Sequence, residues 1–121
     1  MKKKLTCHCG EFEAEINLQG KGFDKLMKCN CSLCKRKGAV MSMVKNEDYK
    51  IIRGKDKLQL YQFHTKVAKH YFCSNCGIYT HHNPRSNPSM TGFNVGNIDD
   101  VDTFKFEDVI VNDGKNHPLD K

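Results

Sequence analysis

Seven cysteines fall into three groups: Cys7-His8-Cys9, Cys29-Asn30-Cys31-Ser32-Leu33-Cys34 and Cys73-Ser74-Asn75-Cys76. None stands outside them. Thiolates this closely spaced suit a borderline-soft metal, zinc above all. The groups hold two, three and two. A closed structural zinc site takes four protein ligands, whereas a catalytic one takes three and keeps a position open. Pairing Cys7 and Cys9 with Cys73 and Cys76 completes a quartet. That leaves Cys29, Cys31 and Cys34 as a trio with a free coordination position. The pattern predicts two zinc ions, one structural and one catalytic, and so an enzyme rather than only a zinc-stapled module.

The spacings support the partition. In a strand, residues i and i+2 share a face, so Cys7 can join Cys9, and Cys29 can join Cys31. A turn after Cys31 brings Cys34 round, and Cys73 and Cys76 form a chelating knuckle, with Gly77 free to take positive φ behind it. Two alternatives stay open. The trio could be closed by a histidine, with His64, His70, His81 and His82 as candidates, or all seven sulfurs could hold one bridged two-zinc cluster.

The elements that must position these groups read as short strands. Residues 11–18 alternate polar and apolar, which puts Phe12, Ala14, Ile16 and Leu18 on one face of a half-buried strand. Further strands fit residues 23–29, 39–44, 49–52, 58–63, 67–72, 78–82, 91–95 and 104–111. Residues 32–38 read as a tight loop, and no helix longer than a turn is expected. The proline-bracketed stretch 83–90 must be a loop. The class is all-β, in a single domain spanning 1–121.

Composition bounds the rest. An apolar fraction of 38%, no tryptophan and a mean hydropathy of −0.66 imply a thin core that needs staples. The basic start Met1-Lys2-Lys3-Lys4 runs into Leu5-Thr6-Cys7 rather than an apolar stretch, so no secretory signal is expected. No stretch approaches the about 18 apolar residues of a membrane span. A cytoplasmic location follows, where disulfides rarely persist. The formal charge of +6 falls to about +3 once seven thiolates and two zinc ions are counted. That disfavours a nucleic-acid partner, and the basic runs at residues 2–4 and 35–37 read as solvated faces.

The motifs Cys7-His8-Cys9-Gly10, Cys29-Asn30-Cys31-Ser32-Leu33-Cys34-Lys35-Arg36 and Phe72-Cys73-Ser74-Asn75-Cys76-Gly77 resemble the glutathione-dependent formaldehyde-activating enzyme family, which includes centromere protein V. Pro84-Arg85-Ser86-Asn87-Pro88 and Asn94-Val95-Gly96-Asn97-Ile98-Asp99 are similar to later family features. The resemblance covers about residues 4–110. It implies a β-tent of bent antiparallel sheets, structural zinc on Cys7, Cys9, Cys73 and Cys76, and catalytic zinc on Cys29, Cys31 and Cys34. Asn30 departs from the histidine that family members often carry there.

The resemblance also implies a reaction: a small thiol such as glutathione and an aldehyde such as formaldehyde joined into a hemithioacetal, a carbon–sulfur lyase running in reverse. A coordinating thiol is deprotonated outright, and thiol capture is the expected use of the open position. Lys35 and Arg36, directly after the last ligand, and Arg85 in the proline-bracketed loop are candidates for holding substrate carboxylates. Asn94 and His82 are weaker candidates for the border of the site. The competing classes are a zinc-stapled binding module for nucleic acid, chromatin or protein, and a redox or metal-handling protein.

Overall fold

The computed structural model describes the chain except Lys21, Asp24, His64 and residues 115–121. Among the described residues, ten strands make two sheets. The first has three strands in the order β1 (Lys2–Thr6), β2 (Glu13–Asn17), β5 (Tyr49–Arg53). The second has seven, in the order β10 (Ile110–Asn112), β3 (Met27–Cys29), β4 (Met41–Lys45), β9 (Met90–Asn94), β8 (Tyr79–Asn83), β7 (Lys69–Cys73), β6 (Leu58–Tyr61). Every pairing is antiparallel except β10 on β3, which is parallel. The all-β class holds.

The alternation of residues 11–18 becomes the centre of the small sheet. Phe12, Ala14, Ile16 and Leu18 are buried, and they meet Val44 and Phe93 from the large sheet, with Val95 and Ile98 from the 3-10 turn after β9, in one core. Cys7 and Cys73 belong to that same cluster. At Gly54, φ is +82° and a Cβ would run into the Glu11 carbonyl, so only glycine lets β5 turn away here.

The basic start is a strand rather than a bare solvated run. Only Leu5 of Lys-Lys-Lys-Leu-Thr is fully buried, so hydrophobic patterning alone gives no sign of β1. Pairing with acidic β2 supplies it. Lys2 lies 3.5 Å from Glu15, Lys4 3.8 Å from Glu13, and Lys3 2.7 Å from Asp100. Exposed pairs of this kind stabilise little, but they spread the basic charge over acidic neighbours.

Two expectations change near the sulfurs. Residues 32–38 form a short helix, α1 (Ser32–Lys37), not a loop. Its N-cap is Cys31, whose Sγ accepts the Cys34 N–H at 3.3 Å, and Gly38 closes it at φ 65°. A cysteine cap lies outside the usual Ser/Thr/Asp/Asn signal, which is why it reads as a loop. Cys7 and Cys9 likewise sit beyond the end of β1, in a turn closed by the Gly10 N–H on the Cys7 carbonyl at 3.2 Å. A turn rather than strand periodicity brings them together. Residues 104–111 are mostly irregular, with a 3-10 turn at Thr103–Lys105 and β10 only at their end.

Candidate metal centres

The quartet is assembled from opposite ends of the chain. Cys7 and Cys9 come from the turn after β1, Cys73 ends β7, and Cys76 lies in the knuckle that Gly77 closes at φ 77°. Their four sulfurs lie within 4.8 Å of one another. Cys9 Sγ is 3.6 Å from Cys7 Sγ and 3.7 Å from Cys73 Sγ. A tetrahedral zinc with bonds of about 2.3 Å demands sulfur separations of about 3.8 Å. The donor set fits that ion, and all seven cysteines are unbridged.

Local donors favour thiolates here. The Phe12 N–H donates to Cys7 Sγ at 3.4 Å. The Asn75 side chain, helped by the Glu11 N–H, holds Cys9 below the ordinary thiol range. Burial works to raise Cys76, but N–H donors of Cys9 and Ile78 outweigh it and bring it to about 6. Burial pushes Cys73 up to about 11, so it gains most from a cation.

The trio forms a second group with sulfurs within 4.8 Å, each residue half-buried. Cys29 ends β3, Cys31 caps α1, and Cys34 lies in the first turn of that helix. Among the described residues no histidine joins the group; His64 lies outside them. Nor do the two groups merge into one cluster. Cys34 donates to Cys29 and brings it to about 5, against the effect of burial and with help from the Cys31 and Gly114 N–H groups. The same contact, with burial, pushes the Cys34 thiol far up. One proton thus serves two sulfurs.

The chain's far end completes this centre. Through the parallel β10–β3 pairing, the Asn30 N–H reaches the Asn112 carbonyl at 3.1 Å, and Asn30 Nδ2 donates to Asp113 at 3.2 Å. Gly114 then lies directly against the trio. A Cβ there would collide with Cys29 Sγ and come within 3.0 Å of Cys31 Cβ. Nothing in the sequence signalled this beyond a glycine following a short apolar strand.

The candidate histidines are placed inside the large sheet instead. His81 Nδ1 meets Tyr49 Oη at 3.0 Å and Thr80 Oγ1 at 2.9 Å, with its ring among Phe12, Tyr49 and Tyr71. His82 bonds Tyr79 Oη and stacks on His70 at 5.5 Å. A Cβ on Gly92 would collide with the His82 ring. Burial lowers the pKa of all three, to about 4 for His70, about 4 for His81 and about 3 for His82. Asn94 is structural: its side chain donates to the Tyr79 carbonyl at 3.0 Å and accepts the Gly96 N–H at 3.2 Å.

The basic candidates separate. Lys35 is exposed, and so is Arg36, whose guanidinium folds back onto the Ser32 carbonyl at 2.8 Å. Arg85 is half-buried, and its charge bears on His70. The third residue of the run, Lys37, is the one turned inward. Its Nζ sits 3.8 Å from the Tyr79 ring centroid and 3.1 Å from His70 Nδ1. Burial lowers its pKa while Cys34, Cys31 and Cys29 pull it back up. A cleft of about 330 Å³ opens beside it, walled by Leu33, Tyr71 and Phe72. Read as a helix, residues 32–37 would have placed Lys37 one turn from Cys34 on the same face.

Comparison with known proteins finds a family and a solved relative. Residues 2–111 match the family model described as glutathione-dependent formaldehyde-activating enzyme. A Rhodobacter sphaeroides protein of known crystal structure is 44% identical, with a TM-score of 0.84, over 93% of this chain and 100% of that one.

Proposed function

The chain belongs to the glutathione-dependent formaldehyde-activating enzyme family, and from that premise we propose that it is a zinc-dependent enzyme joining a small thiol to an aldehyde, a carbon–sulfur lyase in its reverse direction. Net, the sulfur–carbon bond forms as the carbonyl π bond breaks, and the thiol proton ends on the new hydroxyl oxygen. Glutathione and formaldehyde are the substrates the family description supplies.

The observation that carries the reading is the asymmetry of the sulfurs, four in one group and three in the other, with no described histidine beside the three. Cys7, Cys9, Cys73 and Cys76 would hold the structural ion and tie residue 7 to residue 76. Cys29, Cys31 and Cys34 would hold the catalytic one. An ion there supplies a Lewis-acid position able to bind and deprotonate a thiol.

The chain's own groups do the rest. The Cys34 side chain first, and then the backbone N–H groups of Cys31 and Gly114, lower the pKa of Cys29 and favour its thiolate. The Cys34 N–H fixes Cys31. Lys37 offsets the excess negative charge that three thiolates leave around a divalent ion. The seven unbridged cysteines suit a reducing compartment, so we place the protein in the cytoplasm. Among the described residues no helix is long and apolar enough to cross a membrane. The basic run at residues 2–4, already engaged with Glu15, Asp100 and Glu13, gives a nucleic-acid module no free patch there.

Exchange NMR with ¹³C-formaldehyde and glutathione tests the reaction. Zinc-loaded protein should accelerate exchange between free aldehyde and adduct, and Cys31→Ala should abolish the acceleration. Equal acceleration by the variant would refute catalysis at the trio.

A further inference from the structure

Among the described residues the large sheet is open at both ends, and the two ends differ in charge. There β10 pairs only with β3, and β6 only with β7. Five of the eight exposed large apolar side chains lie at these ends: Ile110 and Val111 on β10, Leu60 and Tyr61 on β6, and Val67 in the loop between β6 and β7. Single exposed apolar residues are ordinary. Clusters of them on a strand edge, beside open backbone groups, are a template for another strand.

The backbone of each edge presents such groups. The Ile110 N–H donates to the Leu26 carbonyl at 2.9 Å, and the Asn30 N–H to the Asn112 carbonyl at 3.1 Å. Residues 110 and 112 thus bond inward to β3, and Val111 between them turns its N–H and carbonyl to the open side. On β6, the Ser74 N–H donates to the Lys57 carbonyl at 2.8 Å, and alternation from that pair leaves Leu60 facing away from β7.

Charge decides which edges can meet. Residues 107–113 carry Glu107, Asp108 and Asp113 and no base, a formal charge of −3. Residues 55–69 carry Lys55, Lys57, Lys66 and Lys69 against Asp56, a formal charge of +3. Glu107, Asp108 and these four lysines make no ion pair with another described residue. Two β10 edges therefore repel, and so do two β6 edges. A β10 edge against a β6 edge is complementary in charge and apolar at its centre.

We propose that β10 of one copy of this chain adds to β6 of a second copy, joining their large sheets head to tail. The contact is heterologous, so each copy keeps one edge open, and association continues past the pair unless a ring closes. With only three residues of β10 entering it, the contact is weak and concentration-dependent. It bears on the trio as well: β10 leads straight into Gly114, and a strand on its outer side holds that segment against β3 and the Cys29 sulfur.

Sedimentation velocity of the zinc-loaded full chain, from about 1 μM to about 1 mM, tests the contact. The average mass should rise with concentration by about twofold or more, and fall back when salt is raised from about 0.05 M to about 0.5 M. Val111→Pro removes only an outward-facing donor, at an edge position where proline is tolerated, and should weaken association about 10-fold or more. Glu107→Lys with Asp108→Lys, and Lys55→Glu with Lys69→Glu, should each give a monomer with wild-type zinc content and circular dichroism. Mixed in equal amounts, these two double variants should associate again, because one supplies an unaltered β6 edge and the other an unaltered β10 edge. A wild type that stays monomeric throughout, association that survives in either double variant alone, or a mixture that stays monomeric overturns the proposal.

Discussion

Replacing Gly114 by alanine puts a methyl group where Cys29 Sγ now sits. The other nearest atoms are Cys31 Cβ at 3.0 Å and the Cys31 backbone nitrogen at 3.4 Å. Both belong to the segment pinned by β3 and the α1 cap, so the sulfur is what must yield. Carbon and sulfur pack at about 3.5–4 Å, so it must retreat by roughly 1 Å. A zinc–sulfur bond tolerates about 0.2 Å. The substitution therefore removes or misaligns one of three ligands while leaving the quartet alone. Gly114 does not adopt a left-handed φ, so alanine adds no backbone strain. We expect trio affinity to fall at least about 10- to 100-fold, the scale seen when groups supporting a metal ligand are lost. Competition with a zinc chelator should reveal one weakened ion and one unchanged, at nearly unaltered thermal stability. Two ions held as tightly as in wild type would refute the placement of the C-terminal segment on the trio.

Other consequences are independent of that contact. His70, His81 and His82 have pKa values of about 4, 4 and 3, below the ordinary 6.5. Unfolding therefore takes up protons between about pH 6.5 and 4, and stability declines with falling pH across that window. In NMR titration the three rings should stay neutral at pH 5, and any of them titrating near 6.5 would contradict their burial. Ser42 Oγ is buried with no hydrogen-bond partner among the described residues. Ser42→Ala should thus be neutral or stabilising by about 1 kcal/mol in denaturant unfolding, and a loss of that size would show a partner after all. Gly92→Ala drives a Cβ into the His82 ring. It should destabilise by about 1–3 kcal/mol as an overpacked site, and an unchanged midpoint would mean that β8 and β9 are more loosely apposed.

Much of this architecture was legible before any coordinates. Strict alternation over residues 11–18 reports a half-buried strand because a sheet has one wet face, and Phe12, Ala14, Ile16 and Leu18 are indeed buried. The grouping of sulfurs was legible because ligand chemistry restricts residue type and number. What escaped has physical causes. The first strand is held by its backbone ladder with β2 and carries mostly charged side chains, which leaves no hydrophobic pattern. The helix at residues 32–37 starts from a thiol cap, Cys31, that also belongs to the sulfur trio. The seating of residues 110–114 on β3 and the trio is a contact across more than 80 residues, which no local pattern encodes. Lys37 looked like one of three solvated basic residues because its inward turn depends on that helix.

The most direct test of the account is zinc stoichiometry, measured with thiol titration and circular dichroism, in wild type, Cys31→Ala and Cys73→Ala. The sulfur partition predicts about two ions in wild type and about one in Cys31→Ala with the fold retained. Cys73→Ala, which breaks the link between residue 7 and residue 76 inside the core, should lose the fold. Equal disruption by the two substitutions, or a single ion in wild type that Cys31→Ala removes, would contradict the division into a structural and a catalytic centre.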